Sequence, residues 1–484
     1  MSKAAISRLP VWVRFWRDRR GVVAVAVAVL LPVLIGFAGI GIEVGLWFAI
    51  QRQNQSAADA AAISAALEYA AQFESGVTTN PTAAATTAAN CNLFSTSTSS
   101  SNTVCPLASS ASNALTLYPC YGFTAGSSCN TSSSSGTLNA VQVALTQPLN
   151  TGFANFVTAI WGPSVNTVNV TTKAIAEFSQ TSTACLLALQ GTGTGISVTG
   201  SYNLTMPNCD MAANSNMTSP PAISNAGGCI QAYTLVSPGG YSFAGSSVSP
   251  CTANGYDLTT PPQFKSTADP YAATLTHAFL TAGMPKRVCI PSTGIGPSGA
   301  PIYTYLVHDC IILGGQPPLT GTIILSPGTY WVTDGSLNLS GQLRCTCSSG
   351  GGVTLIFTTT QVSGGTIGAL EVPLGANLAI TLNAPAAGTY PGYLMVQDSV
   401  AGAIYPNSGT IGNAGSLLSG LIYFPNTNLS FAGNIQTDPS NCLVAVASSV
   451  SLTGNIRLDD SGCQTAGLTA LPTIFSVFLA DQYD

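Results

Sequence analysis

"RRGVVAVAVAVLLPVLIGFAGIGIEVGLWF", residues 19–48, decides how the rest of the chain is read. Two arginines lead into Gly21–Ile42, twenty-two residues without a charge; Glu43 follows, and the chain then stays apolar to Ile50. The apolar core of a secretion signal is only ~7–15 residues long. At ~1.5 Å per residue, twenty-two helical residues cover about 33 Å, enough for a ~30 Å hydrocarbon core. Trp12, Phe15 and Trp16 precede the span, and Trp47 and Phe48 stand at its far end, as the interfacial belts of a resident helix would. Pro32 is tolerable in such a span because local adjustment and neighbouring helices can satisfy the freed backbone.

Charge gives the orientation. Residues 1–20 hold six basic side chains against Asp18, a net of +5, whereas residues 51–484 hold seven basic and sixteen acidic ones, a net of −9. Arg14, Arg17, Arg19 and Arg20 crowd one flank of the span, and Arg52 stands alone on the other. The bias predicts a cytoplasmic N-terminus and an exported body. No basic patch follows residue 20, so nucleic-acid binding has no electrostatic footprint.

Glu43 has two readings: solvated at the membrane interface, or paired with a cation on a partner helix. Gly41, Gly45 and Ala49 form a small-residue stripe that would let a second helix, including a second copy, approach closely. Beyond the span, "QRQNQSAADAAAISAALEYAAQF" (51–73) has no Gly or Pro and is rich in alanine, so the helix is expected to run on as one rod. Ala57, Ala61 and Ala65 would allow tight packing on a neighbour.

The order of these motifs resembles the N-terminal module of the TadG-like proteins of the Tad (tight adherence, Flp pilus) assembly system. The features that carry it are Arg19-Arg20-Gly21, Leu31-Pro32, the spacing of Gly39, Glu43 and Gly45, and the Gln55–Ala62 run with Ser56 in its second position. The type IV pilin pattern would place a glutamate five residues after the processing glycine, and Gly21 has none. The resemblance covers about residues 17–66. It implies an uncleaved inner-membrane assembly protein with a periplasmic C-terminal domain, other pilus-assembly membrane proteins as partners, and no enzymatic activity.

Composition bounds the exported part. Only 6% of residues are charged, against about 25% in an ordinary soluble protein. All fourteen cysteines lie between Cys91 and Cys463, an even count on one side of the span, which points to disulfides in an oxidising compartment. The pairing is open; the tightest spacing, Cys345-Thr346-Cys347, lacks the neighbours of a zinc site, so neither metal nor cofactor is expected.

Residues 76–180 read as a Ser/Thr-rich segment and a small α+β unit: "LNAVQVALTQPLN" and "NTVNVTTKAIAEFS" alternate like strands, and "GFANFVTAIWG" between them reads as a short amphipathic helix. TadG-like proteins have a similar piece after the anchor. From residue 183 to 475 a phrase recurs: "SVTG" at 197, "NLSG" at 338, "QVSG" at 361, "LLSG" at 417 and "SLTG" at 451, with "LSFAGN" at 429 as a variant. Gly341 to Gly364 is twenty-three residues and Gly433 to Gly454 twenty-one. Such a period predicts a right-handed parallel β-helix, each rung sharing a narrow apolar core, with an irregular β-sandwich as the alternative. Pro261–Lys286 interrupts the repeat with a helical-looking segment.

The fold class expected is mainly β with an N-terminal transmembrane α-helix (21–50), an alanine-rich extension (51–75) and a basic cytoplasmic segment (1–20). Catalytic signals are weak. His308 and Cys310 could form a nucleophile pair, but cysteines here are expected in disulfides. "DGSLN" at Asp334 partly mimics a D-x-S-x-S metal loop and reads better as a turn. Asp459-Asp460 could serve a membrane-tethered protein that binds or cleaves polysaccharide, but no histidine follows His308. The favoured expectation is a structural or assembly protein that binds the lipid bilayer and other membrane proteins; the polysaccharide reading is the alternative.

Overall fold

The computed structural model describes residues 19–75, 79–97, 104–124, 126–150, 167–200, 203–245, 249, 251, 254–260, 262–316, 319–347, 351–372, 379–411, 415–437 and 442–480. The expected basic segment up to residue 18, with Arg14 and Arg17, and the expected helix over 152–162 lie outside them. The fold is mainly β with one long N-terminal apolar helix, and it divides into two compact units: residues 1–70, 78–179 and 477–484, and residues 71–77 and 180–476.

In the first unit, helix α1 (Arg19–Ser75) runs unbroken through Pro32. Its alanine-rich half is buried: Ala57, Ala58, Ala61, Ala62, Ala65 and Ala66 have no exposed surface. Beside it lies a three-stranded antiparallel sheet of β1 (Ala114–Tyr121), β2 (Leu138–Asn150) and the first half of β3 (Thr167–Ala188), with Leu117 opposite Val143 and Val143 opposite Ala174. Side-chain hydrogen bonds fasten α1 to this sheet. Asn54 Nδ2 donates to Gln147 Oε1 at 3.0 Å, and Gln55 Nε2 to the Lys173 carbonyl at 3.0 Å. Tyr69 stacks on Phe178 with ring centroids 6.0 Å apart. The alanines expected to receive a neighbour are therefore buried within the chain itself. Helix α2 (Pro81–Cys91) starts on Asn80, whose side chain accepts from the Ala83 N–H at 3.1 Å, with Pro81 in the first turn, where its missing N–H costs nothing. Disulfides Cys91–Cys105 and Cys120–Cys129 tie the loops.

The second unit is built from parallel strands whose partners mostly lie about 20 residues or a little more along the chain. In one series each strand pairs with the next: Cys310–Leu313, Gly328–Thr333, Val353–Thr358, Tyr393–Gln397, the middle of Ser416–Ala432, the start of Leu443–Thr453, the end of β3, Asp210–Ala213 and Leu235–Val236. Spatial order therefore differs from chain order. Residues 184–260 continue the stack where residues 310–457 leave off, because the last long strand pairs with β3: Ala445 with Leu186 and Val446 with Leu187. Two further junctions, Val450 with Ile196 and Ile456 with Leu204, repeat the splice in the other strand series.

Side chains explain why this series is central. Tyr330, Leu355, Met395, Ile422, Ala445, Leu186, Met211 and Leu235 occupy successive paired positions and all lie in one apolar core. Their neighbours Trp331, Ile356, Val396, Tyr423, Val446, Leu187, Ala212 and Val236 form a second buried ladder on the opposite face. Strands buried on both faces are near-continuously apolar, as "VTLIF" (353–357) and "LVAVA" (443–447) are.

The interrupting segment covers that second ladder. Gln263 bridges Val236 at one end of the stack, and Val288 bridges Ile311 at the other. Between them Asn214 and Thr267 exchange two 2.7 Å hydrogen bonds, Tyr423 Oη donates to Asp269 Oδ2 at 2.9 Å, and Trp331 Nε1 donates to the Leu280 carbonyl at 2.8 Å. The segment is a strap that returns the chain along the stack; its one helix, α3 (His277–Thr281), is five residues long. All fourteen cysteines are paired. Cys185–Cys209, Cys229–Cys251, Cys289–Cys310 and Cys442–Cys463, with separations of 24, 22, 21 and 21 residues, each close about one period of the repeat.

Candidate functional site

The apolar half of α1 has no cover from the chain. Val23, Leu30, Phe37 and Phe48 are 57% to 71% exposed, and the stretch is long and apolar enough to cross a membrane. In water this surface would be costly, at ~25 cal/mol per Å² of apolar area. In lipid it costs nothing, and a helix satisfies its own backbone. Gly41, Gly45 and Ala49 are exposed, and a Cβ at either glycine would meet nothing within 4 Å, so the stripe is open along this helix. Glu43 is two residues from each glycine and so projects from the other side of the helix. Arg19 and Arg20 are the first two residues of α1.

Where the helix meets its sheet there is a cleft of about 910 Å³, lined among others by Phe48, Arg52, Asp59, Thr172, Lys173 and Leu479. Nothing in the sequence pairs Arg52 with Lys173; the packing of α1 on β3 does.

The chemical candidates in the second unit are occupied otherwise. Cys310 is bonded to Cys289, which leaves His308 no thiol partner; its Nδ1 lies 2.7 Å from Asp309 Oδ2. Asp334, at φ +58, forms a turn with Gly335, and its Oδ1 accepts from the Thr359 hydroxyl at 2.8 Å. Cys185, Cys209 and Asp460 lie close together, but the two sulfurs are joined and offer no thiolate to a metal.

Two carboxylate arrangements escape sequence reading. Asp210 is fully buried; burial, and to a lesser degree the nearby Asp460 charge, push its carboxyl up to about 7, against hydrogen bonds from Ser182 and the Thr234 N–H and the attraction of Lys265. Asp460, bonded by Thr183, is also raised, first by burial and then by the Asp459 charge. Burial would raise Asp459 too, but the Ser461 N–H and hydroxyl, Asn208 and Arg457 hold it below its ordinary value. Asp398, wholly buried, takes His277 Nδ1 at 2.5 Å and the Thr358 hydroxyl at 2.6 Å on one oxygen. These groups pin the strap and the splice; Asp210, Asp398 and Asp459 are buried and Asp460 is half-buried.

The chain is thus mainly β, with one N-terminal helix whose apolar half is uncovered. Residues 21–71 match the Tad family model, described as Flp pilus-assembly TadE/G-like. The match spans the apolar half of α1 and its alanine-rich continuation, and it supports a pilus-related, structural role. No curated protein matches the chain. Among solved structures, the competence-associated pilin ComZ from Thermus thermophilus aligns at 10% identity over 87% of this chain and 98% of that one, with a TM-score of 0.14, too low for a common fold.

Proposed function

We propose that the chain is a bitopic inner-membrane protein that serves as a structural or assembly component of a Tad-type pilus or surface-attachment apparatus. Its N-terminus is cytoplasmic and its body periplasmic. The observation that carries this reading is the coincidence of the Tad match at 21–71 with a helix uncovered up to Phe48 and packed from Asn54 onward. Because the alanine stripe is consumed within the chain, association with other membrane helices, or with a second copy, falls to the Gly41, Gly45 and Ala49 face, with Glu43 on the opposite side of the helix. The body reads as a parallel β-helix: in-register parallel ladders, a period of about 20 residues or a little more and disulfides of one period all support it. A charge-poor surface of this kind suits a scaffold that presents interaction faces rather than a catalyst.

The test is extraction of membranes in mild detergent, followed by affinity purification of the intact chain. Other pilus-assembly membrane proteins are expected to come with it, and Gly41→Leu with Gly45→Leu to reduce their recovery. Recovery of the intact chain from the soluble fraction, alone, would sink the proposal.

A further inference from the structure

We infer that the cleft between α1 and β3 is a binding site for the phosphate of an anionic lipid headgroup. The inference rests on the membrane reading above. The thirty residues 21–50 rise about 45 Å as helix, the thickness of a bilayer with its headgroups, so Arg52 stands at the headgroup surface. The cleft begins at that level, with exposed Phe48 at its mouth and Leu479 along its wall.

The charge is placed against the trend of the whole body. Residues 51–484 carry only seven cations, at a net of −9, yet two of them, Arg52 and Lys173, line this cleft with a single carboxylate, Asp59. Asp59 Oδ1 is engaged by Gln55 Nε2 at 2.8 Å, and neither cation forms an ion pair among the described residues. A second observation points the same way. Thr172, 4% exposed and on the cleft wall, has a buried hydroxyl with no hydrogen-bond partner. A buried unpaired hydroxyl costs about 1–3 kcal/mol unless something satisfies it. A phosphate oxygen would accept from it while the two cations neutralise the charge, and the lipid's apolar part would lie against Phe48 and the span below.

The full-length chain is reconstituted in vesicles of phosphatidylcholine mixed with phosphatidylglycerol, extracted, and its retained lipid read by native mass spectrometry. Phosphatidylglycerol is expected to be enriched over its share of the vesicle. Arg52→Gln with Lys173→Gln is expected to cut that enrichment roughly tenfold or more, while Arg52→Lys keeps most of it. Thr172→Val should weaken retention further with an unchanged circular dichroism spectrum. Equal retention of both lipids, retention untouched by the double substitution, or displacement of the lipid by inorganic phosphate alone would overturn the site. Flotation of the vesicles separates the two readings: failure to float removes the anchor, whereas flotation without enrichment removes only the cleft.

Discussion

Leu186, six residues into the stretch of the second unit that begins at residue 180, pairs in register with Ala445, in its last long strand. The same leucine pairs on its other side with Met211 and has no exposed surface. One side chain thus joins the stretch that comes first in the chain to the stretch that comes last, and the stack has no internal edge at the splice.

Leu186→Ala should therefore weaken both stretches together. A buried leucine truncated to alanine costs about 2–5 kcal/mol. Urea unfolding followed by intrinsic fluorescence is expected to shift as one transition. Two separated transitions, with residues 288–457 unaffected, would show that the splice does not couple them.

Gly454 tests the repeat. It sits at φ +125, and a Cβ there would lie 2.0 Å from the carbonyl oxygen of Gly433 one period earlier. Gly341 stands in the same way against Gly321. Gly454→Ala meets both backbone strain and a clash, so a loss of more than about 2 kcal/mol is expected in the same urea experiment. A change within about 0.5 kcal/mol would mean that the corner can open without cost.

These glycines also show how far the sequence could be read. The recurring Thr-Gly and Ser-Gly phrases announce chain turns, and the period announces partners about 20 residues away; both are local signals, and both are visible in "SLTG" and "LSFAGN". The even cysteine count likewise announced disulfides. Which end of the repeat meets which is not local. Ala445 and Leu186 could each pair with any strand of matching pattern, and only the strap from Gln263 to Val288, long enough to run back along the stack, decides it. The partner of the alanine stripe was equally hidden, since a small face announces close packing but not whether the neighbour belongs to the same chain. Asp210 and Asp460 lie far apart in sequence, and neither flank marks them as neighbours.

The disulfide between Cys289 and Cys310 fastens the end of the strap to the strand that Val288 bridges, closing a loop of 21 residues. Replacing both cysteines with serine is expected to lower stability by about 3 kcal/mol, chiefly through the unfolded chain's regained freedom. Thiol titration of the unreduced, denatured wild type should find no free thiol. Reactive thiols in material purified from the membrane would contradict the paired structure.

The pH dependence of stability follows from Asp210. Its folded value of about 7 lies above the ordinary 3.8, so between those values the folded chain holds a proton that the unfolded chain has released. Stability from this group is complete below pH 3.8 and declines as pH rises towards 7, by at most about 4 kcal/mol at about 1.4 kcal/mol per unit. Asp460, also raised, adds in the same sense, whereas Asp459, lowered, loses stability only as pH falls below the ordinary carboxylate range. Asp210→Asn keeps an acceptor for the Thr234 N–H and removes the charge that faces Asp460. Melting temperature measured from pH 4 to 8 should fall for the wild type and fall less steeply for Asp210→Asn, with the variant the more stable at pH 8. Parallel profiles for the two proteins would place the titrating group elsewhere.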